Sequence, residues 1–149
     1  MRLLILVLCL WLPVSTLADP LMILPVKLLD TSHEAEDQAG DHARRLDLLS
    51  DVLSEELPGV TLSREEVAAA CPRETTDCLL GLLKERGADR GLFIVVQKAS
   101  TLILQIFASV VNVDEGRMVV HKELNFRGDN DEAWRRAGRF LARQLRPAG

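Results

Sequence analysis

The chain predicts an α/β (α+β) domain: one mixed β-sheet of about five strands with helices packed on it, then a long C-terminal β-hairpin and a terminal amphipathic helix. Three observations predict this. Strand-like and helix-like runs alternate through the first half, the pattern of helices packed on a sheet. The second half is rich in strand-like runs, and the last run, from Asp129, returns to helical period with an apolar side and an arginine side.

Leu21 to Leu29 (LMILPVKLL) is an apolar run that reads as one strand, with Pro25 at an edge or irregularity. It ends in Asp30-Thr31-Ser32, and His33 to Gly40 is polar, acidic and aperiodic, a surface loop. From Asp41 the period becomes helical. Leu46, Leu49, Val52, Leu53 and Leu57 share a face, Arg44, Arg45, Asp47, Asp51 and Glu55 fall outside it, and Pro58-Gly59 stops the helix. A short strand, Val60 to Leu62, precedes Ser63 and Glu66, which stand at capping-box spacing and open a second helix that Pro72 ends. A third helix runs from about Thr76 to Arg86, burying Leu79, Leu80, Leu82 and Leu83 and stopping at Gly87.

Leu92 to Lys98 (LFIVVQK) is nearly continuous in apolar residues and suits a central strand covered on both faces. Leu102 to Val113 and Arg117 to Phe126 form the hairpin around Asp114-Glu115-Gly116. Met118, Val120, Leu124 and Phe126 give its second arm a dry face, and His121, Glu123 and Asn125 a wet one. The final helix starts at Asp129, with Glu132 completing a second capping box. It buries Trp134, Ala137, Leu141 and Leu145 and turns Arg135, Arg139, Arg143 and Arg146 outward.

The N-terminus bears on compartment. Arg2, the apolar run Leu3 to Leu12, Pro13 and the small-residue stretch Ser15-Thr16-Leu17-Ala18 have the layout of a secretory signal peptide cleaved after Ala18. The run is too short for a membrane span, which needs roughly 20 apolar residues. Cys9 lies inside it behind the bulky Leu8 and leaves with the peptide rather than carrying a lipid. Residues 19–149 are then one domain of ordinary size, and losing Arg2 moves the formal charge from −4 to −5. From Arg127 onward six arginines face three acids, leaving −8 on the remainder. An acidic body argues against nucleic acid as the main partner, and the last helix alone is a candidate for an anionic contact.

Cys71 and Cys78 remain after cleavage. In an oxidising compartment a pair this close reads as a disulfide across a helix junction. A redox-active pair and a metal site are the alternatives, although metal sites favour closer spacing and further ligands nearby.

Three segments carry a family resemblance: Leu28-Leu29-Asp30-Thr31-Ser32, Gln97-Lys98-Ala99-Ser100-Thr101-Leu102-Ile103-Leu104, and Arg127-Gly128-Asp129-Asn130-Asp131-Glu132-Ala133-Trp134-Arg135-Arg136. Together they resemble a family of bacterial exported proteins known only as a domain of unknown function, with Ala99 and Ala133 where that family usually has valine and serine. The resemblance implies a periplasmic setting, frequent genomic company of quinoprotein dehydrogenases, and a fold similar to the N-terminal domain of TolB and to CsgG. Fold alone does not fix function.

Two functional readings follow. The first is a non-enzymatic periplasmic accessory protein, in the service of a quinoprotein dehydrogenase system, that holds a protein partner through Arg135, Arg139 and Arg143 or through the hairpin. The second is a small-ligand or enzymatic site at a strand end, built from Asp30, Gln97, Lys98 and Ser100, with Lys98 binding an anion or pairing with Asp30. The sequence displays no nucleophile with a base beside it, no phosphate-binding glycine loop and no cofactor motif. His33, His42 and His121 are scattered without ligand spacing, so no metal site is expected.

Overall fold

The opening apolar run folds as two short strands, because Pro25 has no N–H to give to a ladder and falls between them. In the computed structural model, which describes residues 21–146, these are β1 (Leu21–Ile23) and β2 (Lys27–Asp30). The expected signal segment, residues 1–18, lies outside the described residues. Both strands run parallel to β4 (Arg90–Lys98), with Leu21 opposite Arg90 and Asp30 opposite Lys98. Leu24 N–H bridges the break to the Leu92 carbonyl at 3.0 Å. The sheet therefore has six strands rather than about five.

Its order is β3 (Gly59–Thr61), β1, β4, β5 (Leu104–Asn112), β6 (Arg117–Phe126), with β2 beside β4. The first three are parallel, and β4, β5 and β6 are antiparallel. Parallel neighbours need crossovers. Helix α1 (Ala39–Glu56) supplies one, and α2 (Arg64–Ala70) with α3 (Thr76–Glu85) supplies the other. Helix α4 (Asp131–Leu145) follows β6 and packs beside α1.

Alternation along β4 divides the core. Leu92, Ile94 and Val96 join Leu49 and Leu53 of α1 and Trp134 and Leu141 of α4. On the other face Met22, Leu24 and Leu62 pack with Val67, Leu79, Leu82 and Leu83 of α2 and α3. The α1/α4 face of the strand is fully covered. On the other face Phe93 and Gln97 are half-buried and Val95 is exposed, so the cover on both faces that its continuous apolarity predicts is only partial. Trp134 is fully buried and meets Phe126 edge-on at 5.7 Å. Gly138 lets the helices of the first layer close up: a Cβ there would stand 2.8 Å from Leu49 Cδ1 and 3.0 Å from Val52 Cγ1.

Several boundaries differ from the sequence expectation. Helix α1 begins two residues earlier, at Ala39, and Arg45 is buried rather than outside the apolar face. β5 begins at Leu104, which leaves Leu102 and Ile103 exposed in the turn before it. As the end strand, β6 is less dry than expected, with Met118 53% exposed. The capping box Ser63–Glu66 forms on α2, but α4 is capped by Asn130, which accepts from Ala133 N–H at 3.0 Å, and not by Asp129. Leu80 and Leu145 are half-buried.

A disulfide joins Cys71 at the end of α2 to Cys78 in α3, with the Cα atoms 5.8 Å apart. Removing both thiols with serine is expected to lower stability by about 2.5 kcal/mol, the chain-entropy value for a loop of this size. Urea denaturation with and without reductant measures it, and an unchanged midpoint would mean that other contacts hold the loop. No helix among the described residues is long and apolar enough to cross a membrane.

Candidate functional site

The period of two that buries Leu92, Ile94 and Val96 also sends Lys98 to the α1/α4 side of the sheet, so a lysine enters the core at the end of β4. Its side chain is fully buried, and a buried ammonium is tolerated only where it is paired and hydrogen-bonded. Lys98 Nζ lies 2.9 Å from Glu34 Oε2 and 3.0 Å from Asp129 Oδ2, and donates to the Gln38 amide oxygen. These oxygens match its three donors. His42 Nε2 stands 3.2 Å from the ammonium and 3.3 Å from Asp129 Oδ2.

Asp129, also buried, is held from several sides. Arg45 approaches it at 2.9 Å, and the Trp134 indole N–H donates to it at 2.9 Å. Arg45 also reaches Asp131 at 3.4 Å. The backbone closes the same corner: Thr31 N–H and Oγ1 both donate to the Lys98 carbonyl, Thr101 N–H to Glu34 at 2.8 Å, and Asp129 N–H to the Thr101 carbonyl at 2.8 Å. The cluster ties the end of β2, the head of α1, the β4–β5 turn and the approach to α4 into one unit.

Burial works against the charge on Lys98, but Glu34 and Asp129 outweigh it and raise its pKa above the ordinary lysine value. Burial likewise works against Asp129, and the hydrogen bonds from Lys98 and Trp134 with the Arg45 charge bring it below the ordinary carboxylate value. Glu34 is lowered chiefly by the hydrogen bond from Lys98. The two lowered carboxylates contribute stability in full above about pH 5 and lose it as the pH falls through their folded values. Lys98 contributes below about pH 10 and loses its share as the pH rises through its raised value. Thermal denaturation is therefore expected to show a plateau between those limits with a fall on the acid side, and Asp129→Asn should flatten that fall.

The ion pair of Lys98 with Asp30 does not form, because Lys98 points inward to Glu34 and Asp129. Asp30 remains at the rim, where its carboxylate accepts from the Ser32 hydroxyl at 2.6 Å and lies 3.8 Å from His42 Nδ1. The Ser32 hydrogen bond lowers the Asp30 pKa. Ser100 Oγ accepts from the N–H groups of Leu102 and Ile103 and shapes the turn. Gln97 has the opposite parity to Lys98, so it lies on the other face of the sheet, half-buried between Leu29 and Gln105. Glu34, Gln38 and Arg45 were not among the expected site residues, and the structure places all three around Lys98 and Asp129. Among the described residues no group of three or more His, Cys, Asp or Glu is placed to hold a metal ion.

The arginines of α4 form a second candidate. Arg139 and Arg143 line an open groove of about 570 Å³ between α4 and β6, together with Arg136, Arg127 and an apolar floor of Leu124, Phe126 and Phe140. Arg143 lies over the Phe140 ring at 5.6 Å. Arg136 pairs with Glu132 at 3.5 Å, whereas Arg127, Arg139 and Arg143 make no ion pair among the described residues. Arg135 is half-buried outside the groove, and Arg146 binds the Glu56 carbonyl, tying the end of α4 to the end of α1. The spacing of 136, 139, 140 and 143 is a helical stripe, so the sequence held a signal for Arg136 and Phe140. Arg127 joins them only through the fold.

The three segments that carry the family resemblance are the ones that meet at this corner, through Thr31, Lys98 with Thr101, and Asp129 with Trp134. The sequence pattern of a known family spans them all, matching residues 19–145. The chain belongs to DUF3280, described as Protein of unknown function (DUF2380). No curated protein matches the sequence. Among solved structures, the DUF3280 chain is similar to the PelC dodecamer from Paraburkholderia phytofirmans, at 10% identity and a TM-score of 0.55, covering 83% of this chain and 84% of that one. It is similar to the LpoB C-terminal domain from Escherichia coli at 12% identity and a TM-score of 0.54, covering 74% and 84%. TolB from Acinetobacter baumannii aligns at 10% identity over 84% of this chain and 27% of that one, with a TM-score of 0.48. At these identities the likeness to PelC and LpoB is one of fold.

Proposed function

We propose that this DUF3280 protein is a non-enzymatic accessory domain of the periplasm that binds a protein partner through the arginine groove of α4. The observation that carries the reading is a contrast between the two candidate sites. At the strand end the charges are buried against one another, and the Lys98 donors are taken up inside the protein. In the groove, Arg127, Arg139 and Arg143 face solvent with no acid paired to them among the described residues, above exposed apolar surface. Unpaired arginines beside an aromatic ring are common anchors of protein interfaces. A ligand role for Asp30, Gln97, Lys98 and Ser100 would require the cluster to open.

Export is supported by the signal-like residues 1–18, by a family match that starts at residue 19, and by the Cys71–Cys78 disulfide. Service to a quinoprotein dehydrogenase system is the specific role that the family resemblance implies. Photo-crosslinking in intact cells from position 139 or 143 tests the reading. The expected result is an adduct with one envelope protein that re-forms with the purified partner and weakens at least tenfold in the R139E/R143E variant. Absence of any position-dependent adduct, or equal recovery after charge reversal, would overturn it.

A further inference from the structure

We infer that the ligand of the arginine groove is an extended acidic segment of the partner, added as a further strand along the free edge of β6. This rests on the reading of the groove as the partner-binding surface and specifies the chemistry that occupies it. Two independent features point to the same occupant.

The first is backbone. β6 ends the sheet, and among the described residues its strand neighbour is β5 alone. In an antiparallel pair the N–H and C=O groups of alternate residues point away from the neighbour, so β6, ten residues long, offers a row of outward donors and acceptors. A peptide in extended form satisfies such a row, as in other cases of strand addition.

The second is charge. Leu124 and Phe126 have the parity that faces α4, and they form the floor of the groove whose other wall carries Arg136, Arg139 and Arg143. Lys122 shares that parity. A strand laid along β6 would send every second side chain into this groove, where acidic residues meet the guanidinium groups and an apolar residue meets Phe140. Its remaining side chains would face the other side of the sheet. The occupant is thus a segment of about ten residues alternating in period two, with carboxylates and an apolar anchor on one side. A second β6 brings Arg117, Lys122 and the stem of the same basic groove to a basic groove, so a self-paired edge is disfavoured by like charge. A lipid surface answers the arginines but not the row of outward backbone donors and acceptors along β6.

The test is fluorescence anisotropy with a labelled ten-residue peptide whose alternate positions carry glutamates and one phenylalanine, with threonine at the positions between them, titrated with the purified exported chain. Binding is expected to be at least tenfold tighter than for the same peptide with lysine in place of glutamate. It should fall steeply with salt. It should weaken at least tenfold for R136E/R139E, with R136Q/R139Q as a second variant that keeps the surface uncharged. N-methylation of alternate peptide amides should remove binding, and amide exchange along Arg117–Phe126 should slow in the complex.

Equal affinity for acidic and basic peptides, undiminished binding of the N-methylated peptide, uptake by phosphatidylglycerol vesicles in place of peptide binding, or peptide-independent dimerisation through β6 in sedimentation would each overturn the inference. If the peptide fails while crosslinking from position 139 still traps a partner, the proposed function stands and only the nature of its ligand is wrong. Failure of both removes the function itself.

Discussion

Replacing Lys98 with methionine is expected to destabilise the domain by about 3–5 kcal/mol, the loss found when one member of a buried ion pair is removed. The methionine fills similar volume, so the effect isolates charge. It leaves Asp129, whose side chain is 3% exposed, with Arg45 and the Trp134 indole but without its ammonium. At a few degrees per kcal/mol for a domain of this size, the melting temperature should fall by roughly 10–20 °C. Adding Asp129→Asn to Lys98→Met should recover part of that loss, because the orphaned charge is gone. A loss below about 1 kcal/mol, on that same scale, would mean that water reaches Asp129 readily and that the cluster is not sealed.

Truncating Trp134 to alanine is expected to cost about 3–5 kcal/mol, the range for deleting a large aromatic from a core. Trp134 contributes in two ways, through its packing on Phe126 and the aliphatic core, and through the N–H that it donates to Asp129. Trp134→Phe separates them. It keeps most of the buried area and removes the donor, so its loss should be nearer to about 1.5–3 kcal/mol, the range for a hydrogen bond to a charged acceptor. Urea denaturation of both variants gives the comparison, and equal losses would assign the whole effect to the hydrogen bond.

The elements whose side chains obey a simple period were legible in the sequence. The face of α1 from Leu46 to Leu57 and the continuous apolar run of β4 reflect burial of apolar groups, and the capping box at Ser63 and Glu66 reflects hydrogen bonds closed within four residues. The splitting of the first strand was half legible, because Pro25 marks an irregularity without saying whether pairing resumes beyond it. The polar cluster was legible only as separate segments. Arg45 reads as a wet-side residue because it is charged, yet it and His42 stand one turn before Leu49 and Leu46 on the buried face of α1, where Asp129 pairs with both. Glu34 lies in an aperiodic stretch, so nothing local distinguishes it from Glu36. Partners 64 and 87 residues apart in the chain meet through the register of the sheet, which composition and spacing do not encode.

The break at Pro25 also bears on the order in which the chain can fold. Among the described residues β2 pairs with β4 alone, Lys27 with Val95 and Asp30 with Lys98, although it is made long before its partner. β4, β5 and β6 are joined by short turns and pair locally, a geometry that forms quickly. The C-terminal meander is then the template for Lys27–Asp30, which must wait unpaired until it exists, whereas Leu21–Ile23 has an earlier partner in β3. The break thus gives the two halves of one apolar run different times of pairing, and pulsed amide labelling during refolding should find β2 protected last.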